Sequence, residues 1–219
     1  EDPSPVLYFA LTGFMDAGQA GALAADHVLD ELDHRIVAAF DCDQLIDYRS
    51  RRPAMTFDGD HYADVEEFSL ALHVVTDLDD REFYLLRGPE PDFQWNRFVA
   101  ATHQLVTHFG VALTVTGHGV PWAAPHTRPL RGTAYASRRE LISGQPRWTD
   151  AIKVPGNMMG LLTLRLGQAG VDSVGFAVHV PHYLSDIEYP PAAVALLESI
   201  VGSTDLALPL DDLRTAGSE

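Results

Sequence analysis

Apolar residues fall in short runs that alternate with segments of helical spacing, and most of the runs end in glycine, proline, histidine and charge. Residues 6–11 form a compact apolar run, read as a strand. Asp16 stands where a helix N-cap belongs, and residues 17–32 follow with Ala20, Leu23, Ala24, His27, Val28 and Leu32 on one helical face. Residues 35–41 read as the second strand of a βαβ unit. Residues 68–75 and 82–87 read as an antiparallel hairpin closed by an acidic turn at 77–80, which makes the sheet mixed. Gly88-Pro89-Glu90-Pro91 breaks the chain, and Asp92 reads as the cap of a helix over 93–108. Further strands are expected at 111–116 and 171–180, with helices at 155–166 and 190–200 entered through proline.

This alternation predicts a three-layer α/β/α sandwich around a central mixed sheet. One domain is expected over residues 1–205, followed by a polar tail over 206–219 that frays from 211 onward. In such folds the loops leaving the carboxyl ends of parallel strands share one rim, and ligands bind there. The richest of these loops is Gly117-His118-Gly119-Val120-Pro121, with His126-Thr127-Arg128-Pro129 shortly after. His179-Val180-Pro181-His182-Tyr183 repeats the design after residues 176–178. The pattern marks a place more clearly than a chemistry.

Each candidate group at that place has a plain reading beside a sharper one. Asp16 with Gly13, Gly18 and Gly21 resembles a phosphate cradle. The spacing is not Gly-x-Gly-x-x-Gly and no Walker lysine follows, so a helix cap with small residues for close packing is favoured. His118, His126, His179 and His182 permit a metal site, a ligand or interface pocket, or structural hydrogen bonding. No His-x-x-x-His pair places two of them on one helical face, which favours the pocket over the metal. Arg49, Arg51 and Arg52, with Arg128, suit ion pairs within or between chains, and anion binding is the sharper alternative. Glu90 and Asp92 near Trp95 form an acid–base pair only if burial raises one pKa, and the cap reading of Asp92 is simpler. Cys42 has no activating histidine nearby in sequence, and no Gly-x-Ser-x-Gly elbow is present.

Composition excludes some partners. The net charge is −16, from 31 acidic and 15 basic residues, and Lys153 is the only lysine. Such a chain repels phosphate backbones and anionic lipid, so neither nucleic acid nor membrane is expected as a partner. A single cysteine forms no intrachain disulfide and fits a cytoplasmic location. No apolar run approaches the roughly 20 residues that cross a bilayer. No cofactor and no metal are expected.

Together, Gly13-Phe14-Met15-Asp16-Ala17-Gly18, Asp41-Cys42-Asp43, 47–53 and Gly88-Pro89-Glu90-Pro91-Asp92-Phe93 resemble the proteasome assembly chaperone family, in its actinobacterial form. Pro125-His126-Thr127-Arg128-Pro129 and 179–183 complete the likeness, which spans nearly the whole chain. The resemblance implies a phosphorylase/hydrolase-like α/β/α fold and a cytoplasmic, self-associating protein, with a trimer favoured. It implies protein partners, proteasome subunits among them, and assigns no catalytic residue. Bacterial relatives continue past Leu208-Pro209 into a further helical segment, so 206–219 reads as the start of such an extension. The leading expectation is therefore a non-catalytic, homo-oligomeric binding module working through strand-end loops or a protomer interface. The competing one is an enzyme of nucleoside phosphorylase-like or amidohydrolase-like type, with Arg128 gripping a small anion and His126 or His182 as acid or base. Rim groups converging on one enclosed pocket favour the enzyme; rim groups spent on internal bonds, with a broad apolar patch elsewhere, favour the binding module.

Overall fold

Strand β1 (Val6–Thr12) is buried from Val6 through Leu11, because it lies fourth of seven in the main sheet and is covered on both faces. The computed structural model describes residues 5–123, 125–145 and 151–216. The other main-sheet strands are β2 (His34–Ala39), β5 (Ala71–Thr76), β6 (Glu82–Pro89), β7 (Leu113–Trp122), β8 (Gly132–Ala136) and β9 (Asp172–Pro181). They run in the order β2-β5-β6-β1-β7-β9-β8. Strands β6, β1, β7 and β9 are mutually parallel, while β5 and β8 pair antiparallel with β6 and β9. Helices α1 (Ala20–Glu31), α5 (Pro190–Thr204) and α6 (Asp211–Ala216) cover one face; α2 (Cys42–Leu45), α3 (Trp95–His108) and α4 (Met158–Gln168) lie on the other. Alternation along β1 divides the core accordingly. Tyr8 packs with Val115, Val178 and Leu196 on the first face, and Leu7 and Phe9 pack with Phe98, Met158 and Leu162 on the second. The predicted three-layer fold with a mixed sheet is the observed one.

Several elements depart from the sequence reading. Strand β2 is not the neighbour of β1; the β5–β6 hairpin sits between them, and β2 pairs antiparallel with β5 at the sheet edge. Residues 117–122 are strand rather than loop, since β7 stays paired with β9 from Leu113↔Asp172 to Trp122↔Pro181. The glycines there answer to close approach. A Cβ at Gly117 would strike Leu196 of α5, and one at Gly119 would overlap the carbonyl oxygen of Ala17. Pro121 is tolerated because β7 pairs with β1 only as far as Thr116↔Phe9, leaving one edge free beyond it.

A second, two-stranded sheet joins β3 (Met55–Asp58) to β4 (His61–Val65) through Gly59, whose φ is +59°. Neither this arm nor β8 was legible as a strand. Asp92 does not cap α3. That helix begins at Trp95, after Gln94 in a left-handed conformation. The expected tail is also corrected: Leu206, Leu208 and Leu213 join the core, and residues 211–216 form α6. The acidic turn holds this segment. Asp77 is buried and accepts the backbone N–H groups of Asp79, Arg81 and Ala207. Burial opposes its charge, but those donors and the Arg81 guanidinium outweigh it and lower its pKa.

Gly119→Ala is expected to lower unfolding free energy by about 3 kcal/mol, because backbone at Ala17 must move. Gly202→Ala, in a stretch of α5 with nothing within 4 Å of the new methyl, should raise it by about 0.5–1 kcal/mol. Urea unfolding of the two variants checks both signs.

Candidate functional site

The parallel strands β6, β1, β7 and β9 end on one edge, at Pro89, Thr12, Trp122 and Pro181. The chain leaves β1 through Gly13, at φ +127°, and reaches Asp16. Asp16 stands at the N-cap position of a 3-10 turn over Ala17–Gln19, but its carboxylate makes no bond to that turn and reaches past it to α1. Its Oδ1 accepts the N–H groups of Gly21 and Gly119, both at 2.9 Å, and its Oδ2 that of Ala22 at 3.0 Å. Asp16 thus closes the start of α1 from a turn upstream and ties it to β7. A carboxylate there suits the positive end of the α1 dipole. It takes the donors that a phosphate in the cradle reading would need.

Beside Gly13 lies the first group of rim residues. Arg51 Nη2 meets Asp92 Oδ1 at 2.5 Å, and Asp92 Oδ2 accepts the Asp47 N–H at 2.7 Å. Asp92 therefore fastens the 47–53 loop instead of capping a helix. Trp95 donates from Nε1 to the Pro91 carbonyl at 2.6 Å. Glu90 is buried and accepts the N–H of Met158, the first residue of α4. Burial raises the Glu90 pKa, partly offset by that N–H and by the Arg51 charge. Arg51, Glu90 and Gly13 meet closely: a Cβ at Gly13 would lie 3.2 Å from Arg51 Nη1 and 3.4 Å from Glu90 Cβ. Arg49 and Arg52 stay exposed and form no ion pair among the described residues. Among the described residues, Arg51 alone of the three is held by a carboxylate.

The histidines divide further along the edge. His126 bonds Tyr183 twice, its N–H and its Nδ1 each 2.8 Å from the hydroxyl, and the His182 ring sits edge-on to Tyr183. His179 is a strand residue, stacked on Trp122 at 4.0 Å with Nε2 2.9 Å from Thr133 Oγ1, and burial lowers its pKa. His118, also on the strand, lies toward the α4 face. Its Nδ1 is buried without a hydrogen-bond partner among the described residues, and burial lowers its pKa against the pull of Asp16. Arg128 is exposed, its backbone N–H bonded to the Pro125 carbonyl. The structure thus brings Arg51, Glu90, Asp92 and Trp95 together, and joins His126, His182 and Tyr183. The four histidines do not converge on one point, and no group of three or more metal-ligating side chains occurs among the described residues.

Sequence reasoning missed one concavity. An open, mainly apolar cavity of about 810 Å³ lies over the β7–β9–β8 face, walled by Met15, His118, Trp122, Tyr135, Arg139 and Val154 among others. Tyr135 reaches its place because Gly175 beneath it has no side chain; a Cβ there would collide with the phenol ring. Tyr135 and Arg139 gave no signal, because β8 itself had gone unrecognised.

A seven-stranded mixed sheet with helices on both faces, fastened at its strand ends by Asp16 and the Glu90–Arg51–Asp92 group, defines an α/β fold. The PAC2 family model matches residues 10–219, and the chain belongs to the PAC2 family. It is similar to a Mycobacterium tuberculosis protein of unknown function, at 46% identity and a TM-score of 0.94, over 98% of this chain and 75% of that one. A Corynebacterium glutamicum ATCC 13032 protein of unknown function is 40% identical, TM-score 0.94, over 100% of this chain and 81% of that one. A Mycobacterium tuberculosis proteasome-assembly chaperone homologue has the same fold at 24% identity, TM-score 0.89, covering 97% and 91%. No curated protein matches the chain.

Three variants separate the roles of the Asp16 and Glu90 carboxylates. Asp16→Ala strands three N–H groups and should cost about 3 kcal/mol; Asp16→Asn keeps one oxygen acceptor and should cost about 1 kcal/mol. For Glu90 the folded pKa is raised, so its ionisation opposes folding above that pKa and the penalty vanishes below the unfolded value of about 4.3. Wild type should therefore gain stability relative to Glu90→Gln as pH falls toward 4.3, measured by unfolding midpoints across that range.

Proposed function

We propose that this chain is a non-catalytic, self-associating protein-binding module of the proteasome-assembly-chaperone type, acting in the cytoplasm. The observation that carries this reading is how the rim spends its polar groups. Arg51 is held by Asp92, Glu90 by the Met158 N–H, His126 by Tyr183, and His179 by Thr133 and Trp122. An enzyme acting on a small anion needs its acid, base and anion grip around one enclosed space. Here Arg128 is exposed and His126 is already bonded, which speaks for the binding module. Among the described residues no helix is long and apolar enough to cross a membrane. Partners are further copies of the chain, with a trimer favoured, and proteasome subunits or other proteins; nucleic acid and membrane are not, and no cofactor is required.

The surface that supports self-association is the β3–β4 arm. Met55 faces Val65 and Phe57 faces Tyr62, and the irregularity between Thr56 and Phe57 keeps both pairs on one face. These side chains are 55%, 39%, 58% and 69% exposed, so a continuous apolar face stands in water. A two-stranded ribbon is marginal alone. Covering it with another protomer removes the liability, and burying Phe57 and Tyr62 contributes roughly 1.5–3 kcal/mol each.

Phe57→Asp with Tyr62→Asp should reduce the solution mass to the 24.0 kDa monomer, with the melting temperature within a few degrees, by light scattering and calorimetry. A wild-type monomer refutes the self-association. A pull-down from native extract tests the partner: proteasome subunits should be recovered with wild type and lost with His126→Ala/Arg128→Ala at unchanged melting temperature.

A further inference from the structure

The cavity over the β7–β9–β8 face adjoins the rim, sharing Trp122 and Thr133 with the His179 contacts. Its walls are Met15 from the β1 exit, Val120 and Trp122 from β7, Tyr135 from β8, and Ile152 and Val154 opposite. His179, stacked on Trp122 and bonded to Thr133, fixes the indole. Ile152 and Val154 are 55% and 65% exposed, so apolar wall is left to solvent. At about 810 Å³ the space lies within the range of small-molecule sites.

Among the described residues the charge in the lining is of one sign. Arg51, Arg81, Arg87, Arg138 and Arg214 each hold a carboxylate, and Arg138 grips Asp172 through two bonds of 2.7 and 2.5 Å. Arg139, next in sequence, holds none among the described residues; its guanidinium donates to the Gln145 carbonyl and keeps further donors. No aspartate or glutamate lines it among the described residues, in a chain of net charge −16. His118 lies in the same lining with a buried, unpartnered Nδ1, and burial keeps its ring neutral at pH 7. An anion placed against apolar walls needs a charged donor, and a guanidinium matches a carboxylate in shape as well as charge.

We propose that this cavity binds a small amphipathic monocarboxylate, its aromatic or aliphatic body against Trp122, Val120 and Val154 and its carboxylate on Arg139. Binding is non-covalent and does not depend on the protein-partner reading. Calorimetric titration of the full chain tests it, with 1-naphthoate and decanoate as probes, their uncharged amides as controls for charge, and acetate as the control for the apolar body. At least one of the two carboxylates should bind one per chain, tenfold or more tighter than its amide, and acetate should not bind. Arg139→Gln should erase the preference for carboxylate over amide, and Val154→Asp should weaken both forms tenfold or more. Both side chains are exposed, so melting temperatures should hold. The proposal is overturned if neither carboxylate binds by about 1 mM, if amide and carboxylate bind alike to wild type, or if Arg139→Gln keeps the preference.

Discussion

The Asp16 carboxylate is the constraint on which the strand-end edge depends. Three backbone N–H groups from two elements, α1 and β7, point at its two oxygens. A partly buried N–H without an acceptor costs about as much as a lost hydrogen bond, so the side chain and the backbone fix one another. Because Gly21 and Gly119 share Oδ1, the start of α1 cannot slide along the sheet without stranding a donor. The glycines follow from this closeness: where a helix turn lies against strand backbone, side chains on the strand have no room.

That close approach decides what the edge can do. Strands β7 and β9 continue side by side past the end of β1, so residues that look like a loop present a face. The face carries His118, Val120, Trp122, Ala177 and His179, with β8 extending it through Thr133 and Tyr135. Nearer β1 and β6, carboxylates are consumed in fastening segments: Asp92 the 47–53 loop, Glu90 the start of α4. The edge is therefore rigid and internally bonded on one side, and open and apolar on the other.

The strands and helices with an uninterrupted pattern were legible, because one property, burial, sets both pattern and position. Strands β1, β5, β6 and β9 and helix α5 fall close to their expected places. The β7 extension was not, since glycine and proline signal a turn when only the local chain is considered; the glycines answer to Leu196 of α5 and the Ala17 carbonyl, and the proline to a free strand edge, all distant in sequence. The arm was missed although Asp58-Gly59 lies between alternating segments, a known hairpin signal. Among the site residues, the pairing of Arg51 with an acid was the favoured reading, but that its partner is Asp92 depends on tertiary contact. Arg139 and Tyr135 carry no local mark at all. Their place is set by β8 lying antiparallel on β9, which periodicity does not encode.

The strand order also has a cost in time. Strand β1 precedes both of its neighbours along the chain, since Leu7 pairs with Tyr84 on one side and with Thr114 on the other. At roughly 5–20 residues per second, the most apolar segment waits on the order of ten seconds at the ribosome before either neighbour can emerge. Long-range pairings of this kind fold slowly because loop closure precedes the contacts that reward it. The nascent chain is thus most prone to aggregate between the emergence of β1 and that of β6 and β7, and a partner that shields residues 6–12 during that interval would raise the yield of folded protein.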